Sequence, residues 1–190
     1  MNIGLFKDAL AGSIEGMDIP VPAKSQLFLV AGEIAGMARC YLEDGTRFIG
    51  IDDPVNALAS FSYSAGWLDL GSWVGVISAT SPCTLLLGKS DPLPDYARPK
   101  LEEKTHRYSI LLGKAIASSA PASPRGVSVY EGGVTVQVVA ETFHSGGMMF
   151  LRGRQYEDAL ACFSYGHGWL DAAVRTGLLA ITGDRGVFAV

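Results

Sequence analysis

Apolar residues recur at helical spacing along most of the chain. Phe6, Leu10 and Ile14 stand four positions apart within Leu5 to Glu15, which places them on one face of a helix. A glycine and two prolines follow and end the pattern. A longer apolar stripe from Ala23 to about Arg47 predicts a second helix.

A third helix is predicted from Asp53 to about Ser78. Aspartate is a favoured N-cap residue, and Pro54 stands at the first helical position, where the missing N–H of proline is harmless. Three helices are therefore expected in the first part of the chain.

The same order of parts recurs further along. Leu101 to Ser118 predicts a helix that a proline-containing loop follows, and the next helix is expected within Val134 to Phe150. Val127, Val129 and the run Val134 to Val139 are β-branched enough to allow a short strand before that helix.

The third predicted helix contains an internal repeat. Residues 57–69 and 159–171 align without a gap at a constant offset of 102, match at 10 of 13 positions, and differ only where Ser60, Ser64 and Ala65 face Cys162, Gly166 and His167. A repeat with so long a period indicates two similar domains and not a solenoid of short repeats. The chain is an internal duplication.

The duplication and the prolines divide the chain into three parts. We expect a first three-helix copy over residues 1–80, a proline-rich linker over 81–100 and a second three-helix copy over 101–190. The predicted fold is all-α, with two tandem three-helix bundles that pack through their third helices as an intramolecular pseudo-dimer.

Identity extends around almost the whole circumference of the third helix. A surface helix needs only one apolar stripe, so this helix is expected to lie at the centre of the fold. Gly66 and Gly168 lie mid-helix, where glycine costs about 1 kcal/mol relative to alanine. We expect a Cβ at either position to block close approach of another helix, and we apply the same explanation to Gly75 and Gly177.

The candidate binding residues are polar and aromatic positions that both copies share. A buried carboxylate needs a partner, so the shared aspartates serve either a hydrogen bond to another helix or copy, or a ligand. The Tyr/Trp pairs, four residues apart, serve either the core or a planar ligand. The candidates are Ser62, Tyr63, Trp67, Asp69, Ser164, Tyr165, Trp169 and Asp171.

The sequence gives little indication of a metal site, a catalytic motif or a reactive cysteine. His144, His167 and Asp171 could gather on a metal, but the first copy has leucine and alanine at the positions of the two histidines, so we predict no metal site and no cofactor. No nucleotide-binding or hydrolase motif is present. The three cysteines, Cys40, Cys83 and Cys162, have no CxxC spacing, and their odd number fits a reduced, cytoplasmic setting. Cys162 replaces Ser60 of the other copy, which favours a packing role over a catalytic one.

Composition and charge narrow the classes of function. The 190 residues are 48% hydrophobic and 18% charged, as in a packed globule, and 15 Lys+Arg against 19 Asp+Glu leave no excess of positive charge for nucleic acid. Acidic residues come before any apolar run long enough for a signal peptide, and the most apolar region contains Asp69 and Pro82. We expect a cytoplasmic protein with no membrane span.

One segment carries a family resemblance. Phe150 to Ala172, FLRGRQYEDALACFSYGHGWLDA, resembles the central helical hairpin of a family of small archaeal proteins, domain of unknown function 357. Members have a helix, a proline-containing loop and two longer helices in an up-and-down three-helix bundle. Leu101 to Leu179 is similar to one full member, and residues 5–80 resemble a second, more diverged one. The resemblance implies this architecture twice over, and no activity.

Two functions fit these observations. The first is a non-enzymatic helical scaffold or adaptor, with a protein partner or self-association. The alternative is a small-molecule-binding protein, with enzymatic activity left open, whose pocket lies at the junction of the copies and is lined by the candidate residues. A concave pocket with the shared carboxylates pointing into it would favour the alternative.

Overall fold

The computed structural model describes residues 2–81 and 90–189. Cys83 and residues 82–89 of the predicted linker lie outside the described residues. The described chain forms six α-helices and one pair of short antiparallel strands. The helices are α1 Ile3–Glu15, α2 Gln26–Gly50, α3 Pro54–Val74, α4 Arg98–Ala117, α5 Ser128–Arg152 and α6 Tyr156–Arg175, and the strands are β1 Ser119–Pro121 and β2 Leu179–Ile181.

The predicted fold class is confirmed: the protein is all-α and consists of two tandem three-helix bundles. Helix α3 packs on α1 and α2, α6 packs on α4 and α5, and α3 and α6 pack on each other. Every residue from Ala57 to Gly71 and from Asp158 to Ala173 is buried. The residues that the two copies share lie all around the third helix because this helix is buried on every side, as we expected of a central helix.

The copies share backbone detail beyond the 13-residue repeat. Asp18 and Ser78 form an isolated antiparallel bridge in the first copy, and the residues 102 positions later, Ala120 and Ala180, pair in the β1–β2 ladder. In both copies this pairing joins the segment after the first helix to the segment after the third. The offset of 102 therefore holds across each whole copy.

Helix α5 begins earlier than predicted, and the strand allowed over Val127 to Val139 is wrong. Residues from Ser128 onward are helical. Val136 and Ala140, one turn apart, are fully buried in the common core, so a helical face packs where an alternating strand pattern would have turned half its valines outward. Burial in the tertiary structure outweighs the β propensity of the run.

The third helix of each copy is followed by a glycine with a positive φ angle. Helix α3 stops at Val74, earlier than the predicted Ser78, because Gly75 adopts a φ of +80° and ends it in the left-handed region. Gly177 has a φ of +73° after α6. A Cβ at either glycine would meet nothing within 4 Å, so our expectation of close helix packing at Gly75 and Gly177 is wrong.

The second copy starts slightly before its predicted boundary. Helix α4 begins at Arg98, within the predicted 81–100 linker, and carries Pro99 in its first turn. Proline is tolerated there because the first amide groups of a helix have no intrahelical acceptor. Helix α2 is displaced in the other direction, to Gln26–Gly50, with the side chain of Ser25 accepting a hydrogen bond from the Phe28 amide as its N-cap.

Candidate functional site

Helices α3 and α6 cross in opposite directions at a pair of glycines. A Cβ at Gly66 would lie 2.4 Å from the carbonyl oxygen of Tyr165, and a Cβ at Gly168 would lie 2.4 Å from that of Tyr63. Both obstacles are backbone atoms, which cannot turn away as a side chain can. The expectation that these two glycines permit close helix approach is confirmed.

A second glycine pair escaped the sequence analysis. A Cβ at Gly45 would come within 2.3 Å of the Phe61 ring, and a Cβ at Gly147 within 2.4 Å of the Phe163 ring. Each phenylalanine of the third helix therefore packs directly on the backbone of the second helix of its own copy. The two glycines stand 102 positions apart, so the repeat offset, applied outside the 13-residue match, would have found them.

The shared aspartates connect the two copies. The Tyr165 hydroxyl donates to Oδ2 of Asp69 at 2.8 Å, and the Tyr63 hydroxyl donates to Oδ2 of Asp171. Both hydrogen bonds are buried, and in each the donor belongs to one copy and the acceptor to the other. The bonds lie on either side of the glycine crossing and repeat each other under the offset of 102.

Burial controls the ionisation of these groups. It raises the pKa of Asp69, although hydrogen bonds from Ser81 and Tyr165 oppose the shift. It also raises the pKa of Asp171, against the opposing effects of His167, Tyr63 and the backbone of Ala189. Burial, with the nearby charge of Asp171, lifts the pKa of Tyr63 well above its usual value, so this phenol keeps its proton and remains a donor.

A cavity of about 420 Å³ opens beside one of these hydrogen bonds. Its wall combines α2 and α3 of the first copy with α4, α6 and the C-terminal segment of the second. Aromatic and aliphatic side chains alternate with a few polar groups. The lining residues are Tyr41, Asp44, Phe48, Asn56, Ala59, Ser60, Tyr63, Lys104, Tyr108, Leu111, His167, Asp171, Gly186, Val187, Phe188 and Ala189.

His167 fixes the C-terminal wall of this cavity. Its Nε2 lies 2.8 Å from the carbonyl oxygen of Val187 and 3.7 Å from Oδ2 of Asp171. A carbonyl oxygen only accepts, so Nε2 carries the proton that this hydrogen bond shares. The Ala189 amide points at the Asp171 carboxylate at 3.4 Å. The segment from Gly186 to Ala189 is thus attached to α6 through two buried side chains.

A buried lysine enters the cavity from α4. Lys104 is only 7% exposed; its ammonium donates to Oδ1 of Asn56 and lies 4.7 Å from the centroid of the Tyr108 ring. Asn56 donates in turn to Asp53 at 2.6 Å, and Lys100 donates to the same Asp53 oxygen at 2.6 Å. Lys104 was not among the predicted site residues, because it lies outside the 13-residue repeat in a helix rich in charged residues.

The structure brings only part of the predicted set to the cavity. Tyr63 and Asp171 line it, whereas six predicted residues are not among its lining: Ser62, Trp67, Asp69, Ser164, Tyr165 and Trp169. The Ser62 hydroxyl donates to the Leu58 carbonyl at 2.8 Å within α3. Both tryptophans are buried, with ring centroids 6.3 and 6.4 Å from Tyr63 and Tyr165.

The histidines do not gather around a common point. His144 lies 3.1 Å from the carbonyl oxygen of Ser109, between α5 and α4, while His167 lies beside Asp171. Among residues 2–81 and 90–189, no three or more His, Cys, Asp or Glu side chains form a group suited to a metal ion. In the same ranges, no helix combines the length and the apolarity needed to cross a bilayer.

Comparison with known proteins agrees with the duplicated architecture. No curated protein and no solved structure matches the chain. One family model matches in two separate segments, residues 6–77 and 107–179, which correspond to the two helical copies. The chain therefore belongs to the family described as Protein of unknown function (DUF357), of which it carries two tandem copies.

Proposed function

We propose that the protein binds a small molecule in the cavity at the junction of its two copies. The observation that carries the proposal is the cavity itself: at about 420 Å³ it falls within the roughly 300–1,000 Å³ of typical small-molecule sites. Its wall combines aromatic and aliphatic side chains with convergent polar groups, as the walls of such sites do. One of the two shared carboxylates, Asp171, lines it.

The position of the cavity ties binding to the association of the copies. Tyr63 and Asn56 come from the first copy, and Lys104, His167 and Asp171 come from the second. Neither copy alone supplies the site. A ligand that contacts both sides stabilises the folded, associated chain, because it binds the native state and not the unfolded one.

Thermal-shift screening against a library of metabolites and nucleotides tests this proposal. Leu111→Trp on α4 adds bulk inside the cavity, whereas Ile110→Trp adds the same bulk at the neighbouring position, which is 60% exposed and outside the cavity lining. We expect a ligand that raises the melting temperature of the parent and of Ile110→Trp, and not of Leu111→Trp. Equal shifts in all three proteins would refute the site.

A scaffold or adaptor role is the second candidate, and a different observation favours it. The centre of the junction is closed by backbone contact at Gly66 and Gly168, and the equivalent residues Leu27 and Val129 expose apolar side chains at the starts of α2 and α5. In a pure scaffold the cavity has no natural occupant. That role predicts that no library member shifts the parent more than it shifts Leu111→Trp.

A further inference from the structure

We infer that the ligand of the junction cavity is an organic anion, a small carboxylate or phosphate monoester carried on an apolar body. This inference rests on the proposed function and names the class of its ligand. The main observation is the position of Lys104, a buried residue whose ammonium enters the cavity.

The ammonium of Lys104 has no carboxylate partner among the described residues. No Asp or Glu oxygen in the described ranges lies within 4.0 Å of it, and its contacts are the neutral amide oxygen of Asn56 and the Tyr108 ring. A charge removed from water costs several kcal/mol unless an opposite charge offsets it. A bound anion would supply that charge.

The acids nearest to this network are already engaged. Asp53 is paired with Lys100 at 2.6 Å. Burial alone would raise the pKa of Asp53, but hydrogen bonds from Lys100 and Asn56 outweigh it and lower the pKa. Asp53 therefore stays ionised and balances Lys100, which leaves the charge of Lys104 in excess.

The two acids that line the cavity are also occupied. Asp44 pairs with Arg47 at 2.7 Å. Asp171 accepts the Tyr63 hydroxyl, faces the Ala189 amide and lies 3.7 Å from Nε2 of His167. Among the described residues that line the cavity, no other side chain is a carboxylic acid. Among the described residues, Lys104 is thus the lysine of the wall with no carboxylate oxygen within 4.0 Å, and a bound anion would supply one.

The rest of the wall selects for an apolar body. Phe48, Leu111, Val187 and Phe188 line the cavity together with Lys104. Burying apolar surface favours binding, and a bare inorganic anion has no apolar surface to bury. An anion that carries an aromatic or aliphatic group should therefore bind more tightly than inorganic phosphate.

The duplication predicts a single such site. The positions equivalent to Lys104 and His167 in the first copy are Asn2 and Ala65. Asn2 is the N-cap of α1, with its side-chain oxygen 3.0 Å from the Gly4 amide. The combination of ammonium and imidazole therefore occurs at one end of the junction only, and one anion is expected per chain.

Isothermal titration with four probes tests the inference: phenylacetate, phenyl phosphate, the uncharged phenylacetamide and inorganic phosphate. We expect at least one of the two aromatic anions to bind the parent with a stoichiometry of one, and phenylacetamide and inorganic phosphate to bind at least ten-fold more weakly. Lys104→Met should weaken the anion by about ten- to one-hundred-fold, the loss of a hydrogen bond to a charged group. Lys104→Gln, which keeps a polar end group without the charge, should weaken it similarly.

Lys114→Met is the matched control, because it removes the same charge from an exposed lysine of the same helix that lies outside the cavity lining and outside the Asn56–Asp53 network. We expect it to change affinity less than three-fold, and urea midpoints verify that all variants fold. If phenylacetamide binds as tightly as the anions and only Leu111→Trp abolishes binding, the site stands and the anion inference fails. If no probe binds the parent, the anion inference is overturned, and the library screen decides the site separately.

Discussion

The two ends of the α3–α6 crossing have the same central hydrogen bond and different surroundings. At one end Tyr165 donates to Asp69, and the third helix of the first copy has alanine at position 65. At the other end Tyr63 donates to Asp171, His167 stands in place of that alanine, and the cavity opens beside it. The crossing glycines and the Tyr–Asp hydrogen bonds, which we call the frame, are common to both ends. The additional polar groups, Lys104 and His167, occur at one end.

This difference distinguishes residues that hold the two copies together from residues that give the cavity its polar groups. Frame positions occur in pairs at the offset of 102, as the crossing glycines and the aspartates do. The groups that give the cavity its chemistry are not paired in this way. Lys104 corresponds to Asn2 in the first copy, and His167 corresponds to Ala65. In a duplicated protein, positions where the copies differ inside a shared frame are the natural places to look for function.

The largest effect should come from the glycine pair that both ends share. Gly66→Ala and Gly168→Ala each place a Cβ 2.4 Å from a carbonyl oxygen of the opposite helix. We expect each to lower the free energy of unfolding by about 3 kcal/mol, the upper part of the usual cost of overpacking. Urea denaturation measures this directly.

Gly36→Ala is the control for those variants. Gly36 is also inside a helix, but a Cβ there meets nothing within 4 Å. Removing a helical glycine without a clash should raise stability by about 0.5–1 kcal/mol. Equal midpoints for all three variants would show that the crossing is looser than the structure has it.

Next in size are the two hydrogen bonds between the copies. Tyr63→Phe and Tyr165→Phe each remove one hydrogen-bond donor from a buried carboxylate, which should cost about 1.5–3 kcal/mol. We expect the two costs to agree within about 1 kcal/mol. Tyr96→Phe, which removes an exposed bond to Asp52, should cost below about 0.5 kcal/mol. A large cost at one end alone would break the symmetry of the frame.

A smaller effect is expected where the ends differ. His167→Ala gives the second copy the residue of the first and removes the hydrogen bond to the Val187 carbonyl, for about 0.5–1.5 kcal/mol. Hydrogen exchange of the Ala189 amide should accelerate more than that of the α3 amides, because the C-terminal wall loses its attachment. His144→Ala, which removes a bond to Ser109 on α4, should leave Ala189 unchanged.

The smallest effect concerns pH. Both aspartates have raised pKa values in the folded state, so the folded chain binds these protons more tightly than the unfolded chain does. The resulting stabilisation is complete below the unfolded pKa and is lost as pH rises through the folded one. Relative to Asp69→Asn or Asp171→Asn, the parent should therefore gain stability between pH 7 and pH 4. A relative loss over this range would contradict the direction of both shifts.

Much of the frame could be predicted from the repeat, and the reason is physical. Identity on every side of the third helix indicates burial on every side, and glycine at mid-helix indicates close approach, as Gly66 and Gly168 show. The tyrosine donors of Asp69 and Asp171 could not be assigned, because the pairing depends on the direction in which α3 and α6 cross.

The cavity could not be predicted from the sequence for a related reason. Lys104 and Asn56 lie 48 positions apart and meet only when α4 packs near the start of α3. The spacing of Lys104 from Leu101 and Leu112 places it on the face that α4 buries, but spacing alone does not show that its ammonium meets Asn56. Gly75 and Gly177 show the opposite error, since a shared glycine indicates either close packing or a left-handed turn, and only the φ angle decides between them.

The glycine crossing also has a consequence for concentrated solutions. Its face is complementary to a repeat of itself, so the first copy of one chain could pair with the second copy of another in a domain-swapped dimer. The chain between the copies opposes this exchange by holding the partners at an effective concentration in the millimolar range. Shortening that connection until the two faces can no longer meet within one chain would replace the pairing within one chain by an exchanged dimer that keeps every contact of the crossing.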